Sequence, residues 1–244
     1  MNNNITTFID KFKEVKNKSF NKSLRAGYTG IGFTYETLIG KKEDNSYNPD
    51  FNGIEIKTKL GYSKTSITLF TLVPQSEKGI KYIYNKYAYK RSNNQSLKCL
   101  RCDVYSNLNL LTQNKYIMRL RINRLMRTIE LIVLNSSYEK IDGCIYWTFE
   151  SLKERLETKL QTLALVKGYP YKKNNEMVYK YTNLSIYKLK NFETFIKMIE
   201  ENKIYITFNI GTHRSEKRYG QIYDRGTAFK INSKYIEELF TKIY

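Results

Sequence analysis

The 244-residue chain has one histidine, three cysteines and three prolines, and it has no long run of apolar residues. Each shortage excludes something. Cys99-x-x-Cys102 is the half-signature of a zinc site, but no second cysteine pair follows, and His213 is the only imidazole that could complete it. The third thiol, Cys144, leaves an odd number in a chain without an export signal, so a disulfide framework is not expected, and the thiols read as buried or incidental. No segment is apolar for long enough to span or anchor in a membrane, and no basic amphipathic helix dominates. The first twelve residues lack the pattern of a signal peptide, which points to a cytoplasmic protein. There is no Pro-rich linker, internal repeat or low-complexity tract. One compact unit is therefore expected, with two lobes meeting near residue 168.

What is abundant is positive charge and tyrosine. Forty-two Lys and Arg stand against 23 Asp and Glu, a formal net charge of +19, and there are 22 tyrosines. That aromatic content belongs to a folded chain. The charge is spread along the whole sequence, so the expected partner is a polyanion, and with no membrane-binding pattern that polyanion is a nucleic acid.

Local patterns give a mixed α/β order. Ile5, Phe8, Ile9, Phe12 and Val15 recur at helical spacing behind Asn4 as a candidate cap. Three glycines between Gly27 and Gly32 lead into a short helix carrying Tyr35, Glu36 and Leu38. A turn over 45–49 precedes Asp50, which is expected to open an extended stretch where Ile54 and Ile56 alternate with Glu55 and Lys57. Further strands are expected over 66–73, 116–121, 128–134 and 144–149, followed by a helix over 150–160. The last third reads as a strand over 162–166, a polar connection, a helix with Phe192, Phe195, Ile196 and Ile199 on one face, a strand over 204–210, a long basic loop over 211–226, a strand over 227–231 and a closing helix.

The chemistry lies at residues 50–59. Side chains on a strand alternate, so Glu55, Lys57 and Lys59 share one face while Ile54 and Ile56 anchor the other in the core. Two carboxylates and a lysine then converge. Phosphodiester hydrolysis needs a divalent cation on the scissile phosphate and a positioned water, and Asp50 with Glu55 suit Mg²⁺, which is usually held by one or two carboxylates. Lys57 would orient or deprotonate the water, or offset charge on the phosphate. The string Asp-x4-Glu-x-Lys is not specific by itself. Asp10, Glu14 and Lys16 form a similar one on the polar face of the first helix, and an ordinary solvated strand would carry Glu-x-Lys equally well.

The surrounding residues narrow the choice. The block Gly27-Tyr-Thr-Gly-Ile-Gly-Phe-Thr-Tyr-Glu36-Thr-Leu, followed by Asn48-Pro-Asp50-Phe-Asn-Gly-Ile-Glu55-Ile-Lys57-Thr, resembles the active-site region of the MutH-like nucleases of the PD-(D/E)xK superfamily. Within that group the chain is similar to the MvaI/BcnI restriction endonucleases, a likeness that extends to Ile210-Gly211 and to Asp224-x-Gly-Thr-Ala-Phe229-x-Ile-Asn232. Residues 78–127 carry little of it. The resemblance implies a restriction-endonuclease-like mixed central sheet flanked by helices, with a catalytic lobe (1–168) and a recognition lobe (169–244) forming a cleft for double-stranded DNA. It also implies Mg²⁺-dependent, sequence-specific cleavage leaving 5′-phosphate ends, a monomer, and a DNA methyltransferase as genetic partner. Asp50 and Glu55 match the metal-binding carboxylates, Lys57 the catalytic lysine and Glu36 an additional acidic residue. A MutH-like repair nuclease that nicks one strand, and a non-catalytic DNA-binding protein, are the alternatives.

Two basic regions are candidate DNA contacts. Arg119, Arg121, Arg124 and Arg127 lie in a stretch nearly free of acidic residues, and Lys81, Lys86, Lys90 and Arg91 extend it with tyrosines between them. The loop carrying His213, Arg214, Lys217, Arg218, Tyr223, Asp224 and Arg225 offers donors and one acceptor for base edges. By resemblance this loop reads the target, with Lys59 and Lys230 as further contacts. An acid there would either accept from a cytosine amino group or brace Arg225. Asn209 and Lys230 stand where arginine is expected, so the resemblance supplies no recognition sequence.

Overall fold

The computed structural model describes residues 3–27, 29–42, 47–76, 79–92 and 94–244. In chain order the elements are α1 (Asn3–Asn17), β1 (Asn21–Lys22), α2 (Gly30–Leu38), β2 (Glu55–Leu60), β3 (Ile67–Thr71), α3 (Gly79–Tyr87), β4 (Tyr89–Arg91) and β5 (Asn94–Val104). The antiparallel β6 (Ile117–Asn123), β7 (Thr128–Leu134) and β8 (Lys140–Thr148) follow, then α4 (Phe149–Leu160), β9 (Thr162–Lys173) and β10 (Glu176–Leu189). The chain continues through α5 (Phe192–Glu200), β11 (Ile204–Thr212), β12 (Ile222–Asp224), β13 (Ala228–Ile231), α6 (Ile236–Leu239) and β14 (Phe240–Lys242). No helix among the described residues is long and apolar enough to cross a membrane.

Two compact units emerge instead of one, and both are discontinuous: 1–65, 156–190 and 236–244 form the first, 66–155 and 191–235 the second. The division expected near residue 168 fails because that residue lies inside β9, in the middle of a sheet of the first unit. In that sheet the order is β1-β10-β9-β2, with β14 also on β10; β2 runs parallel to β9 and the other pairs are antiparallel. Ile5, Phe8, Ile9, Phe12 and Val15 of α1 are buried with Ile31 and Tyr35 of α2 against Ile56, Ala164, Val166 and Ile186. The helical spacing of the first helix thus predicts its buried face. Its start differs, since the helix begins at Asn3 and Asn4 lies inside it, donating from Nδ2 to the Asn52 carbonyl at 3.0 Å.

The second unit holds a six-stranded sheet ordered β3-β13-β11-β5-β4, with β12 on β11, and the three-stranded sheet β6-β7-β8. Its aromatic core gathers Phe70, Trp147, Phe195, Phe208 and Phe229, all essentially without exposure. Asn191 caps α5 by accepting from the Thr194 N–H at 2.8 Å.

Several expectations are corrected. The polar connection after residue 166 is the β9–β10 hairpin, whose inward positions are largely tyrosines: Tyr179 and Tyr181 are buried, and Tyr181 Oη donates to the Ile31 carbonyl at 2.8 Å. The loop over 211–226 is shortened because Ile222, Tyr223 and Asp224 pair with Thr212, Gly211 and Ile210. The closing helix is one turn, after which Phe240 joins the sheet opposite Leu189. Part of the turn expected over 45–49 lies outside the described residues.

Candidate functional site

A two-residue turn brings the acidic pair together. Phe51 and Ile54 face each other through reciprocal backbone hydrogen bonds of 3.0 and 2.8 Å, and between them Asn52 and Gly53 both take positive φ, +42° and +84°. This is the type I′ geometry for which Asn-Gly is the preferred pair. Asp50 therefore does not open the strand, as its neighbours suggest. It is folded back beside β2, where its Oδ2 accepts from the Ile56 N–H at 3.0 Å. The four residues between Asp50 and Glu55 are the length of that reversal.

Glu55, at the start of β2, is only 1% exposed, yet it faces lysines. Lys57 Nζ donates to its Oε1 at 2.5 Å, and Lys159 Nζ lies 3.3 Å from its Oε2, an ion-pair contact without hydrogen-bond geometry. Lys159 is the residue the sequence did not reveal. It stands in the last turn of α4, 13% exposed, and reaches Glu55 because the parallel pairing of β2 with β9 sets Leu163 opposite Glu55. Ile54 and Ile56 are buried in the core, as the alternation requires.

Glu36 joins this group from α2. Burial, reinforced by the charges of Asp50 and Glu55 and opposed by Lys57, lifts its carboxyl to about 7. Glu55 is raised as well, first by burial, against the pull of Lys57. Close packing requires glycine at the first residue of α2, since a Cβ on Gly30 would meet the Arg25 carbonyl oxygen at 2.3 Å and Tyr179 Oη at 2.6 Å. Among the described residues no group of three or more His, Cys, Asp and Glu converges as a ready cation cage. The residues that could hold a metal are Asp50 and Glu55, and Glu55 Oε2 is buried without a hydrogen-bond partner. Lys59 shares the β2 strand; its Nζ donates to the Thr65 carbonyl, and burial, then Lys167, lowers its pKa. The look-alike string at Asp10 is surface decoration on α1, where Asp10 accepts from Lys13 at 3.0 Å.

The arginine-rich stretch changes character once folded. Arg121 lies opposite Glu130 across β6 and β7 and donates to it from Nε at 2.9 Å. Arg124 grips Glu193 and Glu200, and Arg127 meets Glu150 at 2.7 Å. Glu130 comes from the next strand of the same hairpin, and Glu150, Glu193 and Glu200 from farther along the unit. Arg119 is half-buried on β6, opposite Ile132. Lys86 joins Tyr82 and Tyr87 on the Asp142 carboxylate, and Arg91 is buried, donating to the Thr212 carbonyl at 3.3 Å.

The expected reading loop is the β11–β12 hairpin. His213 packs on Tyr223 with ring centroids 4.6 Å apart, and the Arg225 guanidinium lies 5.3 Å above the Tyr223 ring. Burial works to raise the Tyr223 phenol, but Arg91 and Arg225 outweigh it and hold it below its usual range. Arg214 and Arg218 are exposed at the tip. Asp224 accepts from the Gly226 N–H and the Thr227 hydroxyl, both at 3.0 Å, so it braces the turn into β13. Lys230 is on β13 opposite Tyr205.

Comparison with known proteins gives a consistent result. The model of the MvaI/BcnI restriction endonuclease family matches residues 9–240. The solved structure described as "Restriction endonuclease MvaI-cognate DNA substrate complex" matches with a TM-score of 0.91 and 29% identity, over 100% of this chain and 98% of that one. "Restriction endonuclease MvaI in the absence of DNA" matches with a TM-score of 0.64 and 28% identity over the same shares. No curated protein sequence matches.

Proposed function

The chain belongs to the MvaI/BcnI restriction endonuclease family, and from that premise we propose that it hydrolyses double-stranded DNA at a short fixed sequence with Mg²⁺, leaving 5′-phosphate ends. The observation that carries this reading is the Asn52-Gly53 turn, which sets Asp50 beside Glu55 at the start of the strand that also presents Lys57.

Asp50 and Glu55 are the metal ligands. Mg²⁺ favours hard oxygen donors and needs few from the protein, and the desolvated carboxyls of Glu36 and Glu55, each opposed by the charge of Asp50, are a setting that a divalent cation relieves. When bound, the ion supplies positive charge to the scissile phosphate and the departing oxygen. Lys57 orients the attacking water and offsets charge on the phosphate. Water oxygen bonds to phosphorus as the bond to the 3′ oxygen breaks, the 3′ oxygen takes a proton from solvent water and leaves as a hydroxyl, and the phosphate stays on the 5′ end. Glu36, whose carboxyl exchanges its proton near neutrality, takes up the proton or steadies Lys57.

Duplex DNA is the substrate, consistent with the +19 charge and with the DNA complex of the similar MvaI structure. Lys59, Arg119, Arg214 and Arg218 contact phosphates, while His213, Tyr223, Arg225 and Lys230 face the bases. Asp224 and Arg121 act by holding their neighbours. The protein works as a monomer that cuts the strands in succession, and a methyltransferase protects the host's copies of the site.

The test is incubation of the purified protein with plasmid and phage DNA in Mg²⁺, beside EDTA and Asp50→Ala controls, with sequencing of the fragment ends. Discrete fragments with one end sequence, dependent on metal and on Asp50, support the reading. Single-strand nicks alone, or no cutting of unmodified DNA with any of several divalent metals, overturn it.

A further inference from the structure

Along β5 and β11 one face of the six-stranded sheet is apolar and the other is polar. On β11, Ile206, Phe208 and Ile210 are buried while Thr207 and Asn209, between them, reach the opposite face. Leu100 and Val104 of β5 are buried likewise, and Arg101 and Asp103 are exposed. The register sets Arg101 opposite Asn209 and Asp103 opposite Thr207, whose hydroxyl donates to Asp103 Oδ1 at 2.6 Å. Arg225 adjoins them, its N–H bonded to the Asn209 carbonyl at 3.2 Å. Together they line a cavity of about 470 Å³.

A surface meant only for phosphate collects cations. This one sets a guanidinium, a carboxylate, a hydroxyl and an amide side by side, a mixture of donors and acceptors that matches the edges of base pairs in a major groove. Phosphate would repel Asp103, whereas an exocyclic amino group offers the hydrogens it lacks beyond Thr207. Arg101 has the planar fork that fits guanine O6 and N7. Residues two apart on a strand are separated by about 7 Å, about two base steps at 3.4 Å each.

We propose that Arg101 and Asp103 are specificity-determining residues that read a guanine and a cytosine on pairs one or two steps apart in the target. The inference deepens the nuclease reading above and rests on it for the nature of the ligand. No strand is expected over β5 from the sequence, and neither Arg101 nor Asp103 stands among the candidate DNA contacts.

The experiment uses the full chain carrying Asp50→Ala, without divalent metal, to select binders from a random duplex pool, and repeats the selection with Arg101→Ala and with Asp103→Asn added. Asp103→Asn preserves shape and keeps the test open should Arg101→Ala unfold the site, and thermal unfolding checks both. The expected result is a motif with the parent, loss of preference at one guanine position by about 10- to 100-fold with Arg101→Ala, and at a cytosine position with Asp103→Asn. Binding to a scrambled duplex should change less than about twofold in either variant. An unchanged motif in both variants, no motif with the parent, or equal loss on scrambled and selected duplexes would overturn the proposal. If the motif responds as expected while the intact protein cuts no DNA, the nuclease reading fails and the base-reading assignment stands.

Discussion

The carboxylates of the two units are pushed in opposite directions. In the first unit Glu36 and Glu55 sit in desolvated positions near Asp50 and both are raised, Glu36 to about 7. In the second, burial also works to raise Asp142, but Tyr82, Tyr87 and Lys86 bond to it and hold it far below the usual range. Glu130 is lowered by Asn123 and Arg121 against its burial, and Glu150 by Arg127. Asp224 departs from that pattern, raised by burial despite its bonds to Thr227 and Gly226. Acids that fasten a structure are saturated with donors, while those of a reacting centre keep spare acceptor capacity.

That contrast can be broken most forcefully at the centre. Asp50→Asn and Lys57→Ala should each reduce single-turnover cleavage by about 100- to 10,000-fold, with salt-dependent DNA binding retained. Wild-type cleavage by either variant would remove the functional half of the comparison. Asp142→Ala should do the reverse, costing about 2–4 kcal/mol in urea unfolding near neutral pH because two tyrosine hydroxyls and an ammonium lose their acceptor, with little change in the cleavage rate of the folded fraction.

The pH dependence sharpens the same point because the signs differ. A carboxyl raised on folding binds its proton more tightly in the folded state, so stability falls as pH rises from the ordinary 4.5 towards about 7. Glu36→Gln should therefore gain about 1–2 kcal/mol at pH 8, a figure already reduced for partial exposure, and nothing near pH 4. Asp142 is depressed, so its contribution is complete above the ordinary carboxylate range and fades as pH falls below it, and the deficit of Asp142→Ala should shrink in acid. Parallel stability curves for the two variants would show that the directions are misassigned. The smallest effect concerns Arg121, whose guanidinium is already engaged by Glu130. Arg121→Ala should alter the slope of log binding against log salt by well under the value of about 0.9 for one lost phosphate contact.

How much of this was legible follows from what each signal encodes. Apolar periodicity found α1, α5 and the strands rich in Ile, Leu and Phe, because those residues are buried with little ambiguity. It missed β10, where Tyr179 and Tyr181 are buried among lysines and asparagines. A turn signal was available there, since Asn174 and Asn175 both take positive φ between the paired strands, as Asn52 and Gly53 do before Glu55. The local cluster of Glu36, Asp50, Glu55 and Lys57 was recognisable because one short loop assembles most of it. Lys159, Arg101 and the glutamates that meet Arg124 and Arg127 were not, because strand pairing and helix packing bring them in from other parts of the chain, and Glu130 reaches Arg121 only through the register of β6 on β7.

The chain passes between its two units at 65/66, 155/156, 190/191 and 235/236. No single cut separates the two units, and a gene crossover with a relative at one point always leaves at least one unit a hybrid of both parents. Moving the second unit into a relative thus means exchanging 66–155 and 191–235 together, and a split-protein reporter would have to trade internal segments instead of halves.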